Sequence, residues 1–220
     1  MGLFQGNVVE EETINDAWRS ALWCCIRRGY SYLIQQGSYV GQVRRQLEYM
    51  TIVINQPSKR PLSVYMPEAL GIPAPTDEDS INDYFVKYLL SEDKTDNEEY
   101  TYGQFICQQV YDIIDMLRRD QNQAVITIGN ENSTKLANPP CLKVIDFKVV
   151  DGKLNMTVYF RSWDLFAGLP ENLGGLQLLK EFILCHVPRL DDGKIIAQSS
   201  GAHIYEMYIP IVNQLNVDKL

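Results

Sequence analysis

The sequence predicts a single α/β (α+β) domain, residues 1–220, in which helices cover a mixed, largely antiparallel β-sheet. The length supports this, because 220 residues form about one domain with a full hydrophobic core. Segments of helical periodicity alternate with strand-like segments along the chain. The dipeptide Asp151-Gly152 lies between two alternating runs and predicts an antiparallel hairpin. The hairpin makes the predicted sheet mixed.

The first half of the chain is predicted to hold two helices, a clear strand and a long loop. Apolar residues at helical spacing predict helices over residues 15–28 and 80–90. The alternating residues 50–54 predict a strand. Five prolines interrupt residues 57–75, so this loop is either a lid or a plain surface excursion. The acidic run 91–99 is expected to be a solvated connection.

The second half is predicted to contain two helices and four strands before a last helical stretch. Helices are predicted over residues 103–120 and 171–187, and strands over residues 123–128, 143–150, 153–160 and 194–198. The last helical stretch follows His203-Ile204-Tyr205.

Composition and charge narrow the class of protein. Apolar residues make up 45% of the chain and charged residues 22%, which is typical of a globular protein rather than a disordered one. No apolar run approaches the roughly 20 residues that cross a bilayer, so no membrane partner is expected. The net charge of −8 argues against a nucleic-acid polymer as partner, because such binding needs clustered Lys and Arg.

The cysteines and the N-terminus indicate the compartment. The five cysteines are odd in number and form no C-x-x-C pair, which favours a reducing compartment without structural disulfides or zinc. The N-terminus lacks a basic segment followed by an apolar one, and we expect a cytoplasmic protein. Leu3-Phe4-Gln5-Gly6 resembles a protease-site scar, so residues 1–8 are expected to be tag-derived or disordered.

Three short segments of the second half are dense in reactive and turn-forming residues. They are Asn138-Pro139-Pro140-Cys141, then Phe160-Arg161-Ser162-Trp163-Asp164 running into Gly168-Leu169-Pro170-Glu171-Asn172, and finally Gly201-Ala202-His203-Ile204-Tyr205. In this order and spacing they resemble the thymidylate synthase family, whose members carry Pro-Pro-Cys, Arg-Ser-x-Asp, Gly-x-Pro-x-Asn and His-x-Tyr motifs. The resemblance extends back to Tyr102-Gly103, whereas the first hundred residues match poorly. The small size, Ile145-Asp146-Phe147 and Trp163 look most like the short archaeal-type branch.

The resemblance implies a fold, a reaction and partners. The fold would be thymidylate synthase-like, and the protein would be a homodimer. It would be a methyltransferase that converts dUMP to dTMP at C5, with 5,10-methylenetetrahydrofolate or methylene-tetrahydromethanopterin as the reduced pterin co-substrate. The alternative is a pyrimidine nucleotide 5-hydroxymethylase acting on dUMP, dCMP or CMP. A third interpretation, from a different class, is a non-catalytic nucleotide-binding relative.

Cys141 is the candidate catalytic nucleophile. Carbon C5 of uracil is a poor nucleophile until a thiolate adds to C6, and a cysteine can make that addition. Two prolines place Cys141 on a stiff turn, where the guanidinium of Arg161 would lower the pKa of the thiol. An isolated cysteine is more often a buried structural thiol, so the surrounding motifs carry this assignment.

Polar residues of the same motifs are candidate substrate ligands. Arg161 and Ser162 offer a charged fork and a hydroxyl that suit a phosphate, although a strand-end Arg also commonly forms a surface salt bridge. Asn172 can accept a hydrogen bond from N3–H of uracil and donate one to O4, or else it is a helix N-cap.

The resemblance implies roles for four further residues. Asp164 would help to order the pyrimidine and the donor pterin, unless it is only a turn former. His203 and Tyr205 would hold the 3′-hydroxyl of the sugar. Tyr102, from the Tyr-Gly pair, joins Cys141 as a candidate catalytic residue.

The sequence departs from the family pattern around the phosphate. Many members bind it with a consecutive Arg pair from the partner subunit, whereas the matching strand here begins Gln123-Ala124. We therefore expect other cations to bind the phosphate, and Arg44 and Arg45 are the candidates. Leu142 stands where the family usually has His, and Phe160 stands where it usually has Gln.

The family also uses a glutamate from an early helix in proton shuttling. Alignment of the helix over residues 80–90 puts Asp83 in that place as a candidate catalytic residue, with Glu68 as the rival. The C-terminal residues 217–220 do not match the family tail that closes over the site, so the loop over residues 57–75 is the candidate for closure.

Overall fold

The structure, a computed structural model, describes residues 6–37, 39–96 and 98–215. The strands are β1 (Val8–Glu11), β2 (Tyr30–Leu33), β3 (Val43–Gln46), β4 (Met50–Ile54), β5 (Ala124–Thr127), β6 (Leu142–Val150), β7 (Lys153–Phe160), β8 (Trp163–Asp164), β9 (Asp191–Ser199) and β10 (Ala202–Tyr205). The α-helices are α1 (Ile14–Arg28), α2 (Glu78–Asp83), α3 (Gly103–Ile106), α4 (Val110–Arg118), α5 (Gly168–His186) and α6 (Ile209–Leu215). A π-helical segment, Tyr84–Leu89, continues α2.

The strands form two mixed sheets rather than one. The larger sheet has the order β1-β4-β9-β7-β6-β5, and the smaller has the order β2-β3-β10-β8. Three strand pairs are parallel, namely β1 with β4, β7 with β9 and β8 with β10, and the others are antiparallel. The predicted architecture of a mixed, largely antiparallel sheet covered by helices is confirmed, with the strands divided between two sheets.

The hairpin between β6 and β7 forms as its turn chemistry requires. Asp151 and Gly152 both have positive φ, 52° and 76°, which is the conformation of a type I′ turn. This turn twists in the same sense as the strands, and eight residue pairs follow it from Val150 opposite Lys153 to Leu142 opposite Phe160. The hairpin thereby brings the residue before β6, Cys141, next to the residue after β7, Arg161.

Helix α5 is the centre of the core, and it approaches its neighbours closely. Ten of its residues are buried, which explains why its sequence is apolar on several sides. Gly174 and Gly175 pack against Ile81 and Tyr84 of the α2 and π-helical segment, and a Cβ on Gly174 would lie 2.8 Å from Cδ1 of Ile81. The fully buried Lys180 donates to the carbonyl of Gly193 at 2.6 Å and pairs with Asp192 at 3.0 Å.

The two faces of the larger sheet differ in burial. Ile52, Val158 and Ala197 belong to the face that α1, α4 and α5 cover, and they are at most 1% exposed. Their neighbours Val53 and Ile196 point to the opposite face and are only half-buried. That face is therefore not covered by helices among the described residues.

Two predicted helices differ from the structure. The prediction of a single helix over residues 103–120 is wrong, because the helix is interrupted between α3 and α4. There the Gln109 side chain forms hydrogen bonds with backbone groups of Phe105 and Thr127. The predicted helix over residues 171–187 is confirmed but begins earlier, at Gly168, because the Asp164 carboxylate accepts hydrogen bonds from the backbone N–H groups of Phe166, Ala167 and Gly168 at the entry to α5.

The long loop and the termini complete the comparison. Residues 57–75 contain one 3₁₀ turn, Glu68–Leu70, and are anchored by the buried side chains of Leu62, Val64 and Met66. Val8 already belongs to β1 and is therefore not disordered, whereas the expected tag-derived origin of residues 1–8 stays a prediction and residues 1–5 lie outside the described part. Residues 217–220 lie outside it as well. No helix of the described residues is long and apolar enough to cross a membrane.

Candidate active site

The turn before β6 holds Cys141 through contacts on both sides. The guanidinium of Arg161 donates to the carbonyl oxygens of Pro139 and Pro140, the latter at 3.1 Å from Nε. The backbone N–H of Arg161 donates to the carbonyl of Cys141 at 2.9 Å. On the other side, the backbone N–H of Leu142 donates to the buried Tyr102 hydroxyl at 3.1 Å. Residues far apart in sequence therefore fix the turn that presents the thiol.

The environment of Cys141 raises the pKa of its thiol overall. Burial raises the pKa of Cys141, and the positive charges of Arg161, Lys143 and Arg44 oppose that rise only in part. Arg161 lowers the pKa as predicted, but burial outweighs the three cations, so the pKa of the thiol is raised. The candidate nucleophile is thus a partly buried thiol with three cations near it.

Cys141 lines a cavity of about 330 Å³ that we call the thiol cavity, together with Arg44, Arg161, Ser162 and Tyr205. A second, more polar cavity of about 420 Å³ shares Arg44, Arg161 and Ser162 with it. Two guanidinium groups and a hydroxyl therefore meet beside the thiol, and this combination can bind a phosphate.

The two candidate arginines of β3 lie on opposite faces of the smaller sheet. Arg44 lines the thiol cavity, and its guanidinium lies 4.9 Å from the ring centre of Tyr32. Arg45 faces α1 instead, where its charge acts on the Cys25 thiol and its side chain approaches Gly29. Because side chains alternate along a strand, adjacent residues cannot both face the cavity. Arg45 is therefore corrected as a candidate phosphate ligand, because it does not line the cavity, and Arg44 remains the candidate.

His203 and Tyr205 are two residues apart on β10, so their side chains lie on the same face of the strand. Tyr205 lines the thiol cavity, and its ring centre lies 4.9 Å from that of His203. Nδ1 of His203 lies 2.8 Å from the carbonyl oxygen of Gly201, so this nitrogen carries the proton. Burial lowers the pKa of His203 to about 4, and its buried Nε2 has no hydrogen-bond partner among the described residues. The neutral imidazole can therefore accept a bond from a ligand hydroxyl.

Asp164 has a structural role that the sequence left open. Asp164 lies opposite His203 where β8 pairs with β10. Its carboxylate accepts a hydrogen bond from the backbone N–H of Phe166 at 2.9 Å. Burial raises the pKa of Asp164 to about 6, although hydrogen bonds from Phe166, Ala167 and Gly168 lower it. The residue is thus a turn former at the start of α5, and it is not among the residues that line the thiol cavity.

Asn172 lies inside α5 and is not its N-cap. The helix begins at Gly168, and Ala167 occupies the capping position without a side-chain hydrogen bond. The Oδ1 atom of Asn172 accepts a hydrogen bond from the indole Nε1–H of Trp163 at 3.0 Å. The N-cap alternative is therefore wrong, and Asn172 is not among the residues that line the thiol cavity.

A larger cavity of about 730 Å³ lies along α2 and the π-helical segment, and we call it the tyrosine cavity. Tyr84 and Tyr88 line it together with Lys87, Lys94 and Glu171. Burial is the main reason that the pKa of Tyr88 is raised, and the nearby Cys141 side chain contributes to the same rise. Sequence analysis missed this cavity, although the helical spacing of Tyr84 and Tyr88 was a usable signal.

The proposed early-helix acid does not reach the thiol cavity. Asp83 is exposed, forms an ion pair with Lys87 at 2.7 Å and lines the tyrosine cavity. Glu68, its rival, is exposed in the 3₁₀ turn Glu68–Leu70 and lines neither cavity. Glu171, which sequence analysis passed over, also lines the tyrosine cavity, and burial raises its pKa. Tyr102, by contrast, accepts a hydrogen bond from the residue after Cys141, and its catalytic role stays a prediction.

Comparisons with known proteins point to the same family over most of the chain. A family model described as thymidylate synthase matches residues 84–218. A "putative thymidylate synthase" of Methanosarcina barkeri is 31% identical over 212 residues, covering 91% of this chain and 90% of the relative. A protein of the same description from Methanosarcina acetivorans is 29% identical with the same coverage. A thymidylate synthase of Listeria monocytogenes is 34% identical over 109 residues, which is 48% of this chain and 34% of the relative.

Proposed function

The chain belongs to the thymidylate synthase family, and we propose that it converts dUMP to dTMP with a reduced pterin as the one-carbon donor. The observation that carries this proposal is the position of Cys141 on a braced turn beside two guanidinium groups and a hydroxyl in one cavity. A structural thiol would not need to open into a cavity with this phosphate-binding chemistry.

Cys141 makes and later breaks the only covalent bond between protein and substrate. Its thiolate adds to C6 of uracil, and the electron pair moves to C5 and O4 as an enolate. C5 then bonds to the methylene carbon of the donor. Loss of the C5 proton to solvent breaks the bond between the methylene carbon and the donor nitrogen and leaves an exocyclic methylene on C5. Transfer of a hydride from the released donor to that methylene then expels the Cys141 thiolate and gives the 5-methyl product. The donor supplies both carbon and hydride and is oxidised by two electrons.

The thiol cavity and polar residues near it would hold the nucleotide. Arg44, Arg161 and Ser162 would bind the phosphate, since two cations and a hydroxyl match its charge and oxygens. The neutral His203 and Tyr205 would hold the sugar 3′-hydroxyl. Asn172, with its amide fixed by Trp163, would read the base.

The tyrosine cavity suits the reduced pterin in size and chemistry. Its volume of about 730 Å³ is within the range of small-molecule sites. Tyr84 and Tyr88 offer rings for stacking, and Lys87 and Lys94 offer cations for an acidic tail. Both 5,10-methylenetetrahydrofolate and methylene-tetrahydromethanopterin carry a fused ring and an acidic tail, so both belong in the assay.

The decisive experiment supplies dUMP, dCMP, UMP or CMP with each of the two donors and identifies the product by mass. We expect 5-methyl product from dUMP. A hydroxymethyl product would instead support the alternative function, in which water attacks the exocyclic methylene. The Cys141→Ser variant is expected to fold and to give no product, because an alcohol at neutral pH is a far weaker nucleophile than a thiolate.

Cys185 provides the matched control for this substitution. It is exposed at the end of α5, and Cys185→Ser is expected to keep wild-type turnover. Turnover near the wild-type level in Cys141→Ser would show that the covalent assignment is wrong.

A further inference from the structure

The amide of Asn172 has only one possible orientation relative to Trp163. The indole Nε1–H of Trp163 lies 3.0 Å from the Asn172 side chain, and an indole nitrogen donates but never accepts. The amide oxygen must therefore face Trp163, and the NH₂ group must face away. Reversal of the amide would place two donors against each other in a site where Trp163 is only 3% exposed.

Trp163 is itself held so that it cannot turn away from Asn172. Its ring stacks on Phe160 with centroids 4.4 Å apart and planes 4° from parallel. Its backbone N–H donates to the carbonyl of Gly201 at 3.1 Å, and Trp163 lies opposite Ala202 where β8 pairs with β10. The position of the indole N–H is thus set by the smaller sheet, whereas Asn172 is set by α5.

The remaining hydrogen-bonding capacity of the amide matches one pyrimidine. An Asn side chain has two acceptor lone pairs and two N–H donors. Trp163 occupies one lone pair and the Tyr84 hydroxyl engages one N–H, which leaves one lone pair and one N–H for a ligand. Uracil presents a donor at N3–H and an acceptor at O4, whereas cytosine presents an acceptor at N3 and an amino donor at C4. Only uracil meets the fixed amide with complementary groups.

We propose that Trp163 is the positioning residue that sets the base preference, because its indole N–H holds the Asn172 amide in the orientation that accepts uracil and rejects cytosine. This inference rests on the proposed function, in which Asn172 reads the base. Without the indole donor, either orientation of the amide becomes accessible, and a reversed amide can pair with cytosine. The discrimination is then lost although no residue that touches the base has changed.

The test is Trp163→Phe, which removes the N–H and keeps an aromatic ring on Phe160. Dissociation constants of dUMP and dCMP are measured by calorimetry, and kcat/KM is measured for both where product forms. The preference for dUMP over dCMP is expected to fall about tenfold or more, since an unpaired buried polar group opposes the wrong base only while the amide is fixed.

Trp18 offers a matched control within the same chain. It is also buried, and its Nε1–H donates to the carbonyl of Phe166 at 3.0 Å. Trp18→Phe therefore removes an equivalent hydrogen bond away from Asn172, and it is expected to lower stability while leaving the dUMP to dCMP ratio unchanged. Trp163→His keeps a ring N–H in the corresponding position of a five-membered ring, and it is expected to restore part of the preference.

The outcomes separate this inference from the proposed function. A wild-type preference that survives unchanged in a folded Trp163→Phe protein would overturn the role of Trp163 and leave the reaction intact. Wild-type protein that neither binds dUMP nor yields product would overturn the proposed function itself. If Trp163→Phe does not fold, ¹⁵N-indole spectra of the wild type decide: dUMP should shift the Trp163 resonance and leave that of Trp18 in place, and an unmoved Trp163 resonance would overturn the inference.

Discussion

At the residue scale, Asp164 and His203 have opposite effects on how stability changes with pH. Burial raises the pKa of Asp164 to about 6 from an ordinary value of 3.8, and burial lowers the pKa of His203 to about 4 from 6.5. Between about pH 4 and 6 the folded protein binds more protons at Asp164, and fewer at His203, than the unfolded chain. Asp164 therefore makes stability fall as pH rises through this window, while His203 makes it rise.

Replacing one member of this pair should expose the other. In Asp164→Asn the amide oxygen can still accept the backbone hydrogen bonds, and of the two residues only His203 still titrates. The free energy of unfolding is then expected to increase from about pH 4 to 6.5 more steeply than in the wild type, by on the order of 1–3 kcal/mol. Chemical denaturation across this range measures it.

His203→Gln provides the reciprocal measurement. It removes the rising contribution, so the free energy of unfolding should increase less with pH than in the wild type, or decrease between about pH 4 and 6. Identical pH profiles for the wild type and both variants would contradict the assigned shifts.

At the scale of elements, strand β3 decides which cation serves the phosphate. Arg44 and Arg45 are neighbours with the same charge, yet only Arg44 faces the thiol cavity. Arg44→Met should raise KM for dUMP about tenfold or more, because a charged hydrogen bond contributes about 1.5–3 kcal/mol. Steady-state kinetics with dUMP and with deoxyuridine measure the effect, and the nucleoside, which lacks the phosphate, should lose little.

Arg45→Met is the control from the opposite face of the same strand. It removes an equal charge beside α1, and KM for dUMP is expected to stay at the wild-type value. Equal increases of KM in both variants would indicate a general charge effect rather than a phosphate ligand at Arg44.

At the scale of the whole molecule, the uncovered face of the larger sheet is the candidate homodimer surface. A row of residues crosses this face in register, from Val53 to Ile196, Thr157, Asp146 and Val125. β-branched side chains dominate the row, and a second copy of the chain could bury them. We predict a homodimer that associates through this row, as the family resemblance implies.

Ile196→Lys places a charge in the middle of the row and is expected to give a monomer in sedimentation at micromolar concentration. Val86→Lys is its control, since Val86 is 57% exposed on the π-helical segment and lies on a different side of the fold. Wild-type protein that sediments as a monomer under the same conditions would rule out this dimer.

Short-range patterns in the sequence determined much of the fold and singled out the candidate site residues. Helical spacing predicted α1, and the left-handed preference of Asp151-Gly152 predicted the β6–β7 hairpin, because both signals come from residues close together in the chain. The motifs likewise pointed to Cys141, Arg161 and Asn172 before any geometry was known.

Only the tertiary structure decided which of these residues act together and in what environment. It separated Arg44 from Arg45, placed Asp83 in the tyrosine cavity and showed that burial outweighs the cations around Cys141. It also joined Trp163 of β8 to Asn172 of α5. The physical reason is that desolvation and the facing of side chains depend on contacts between segments far apart in sequence, which local periodicity and turn chemistry do not specify.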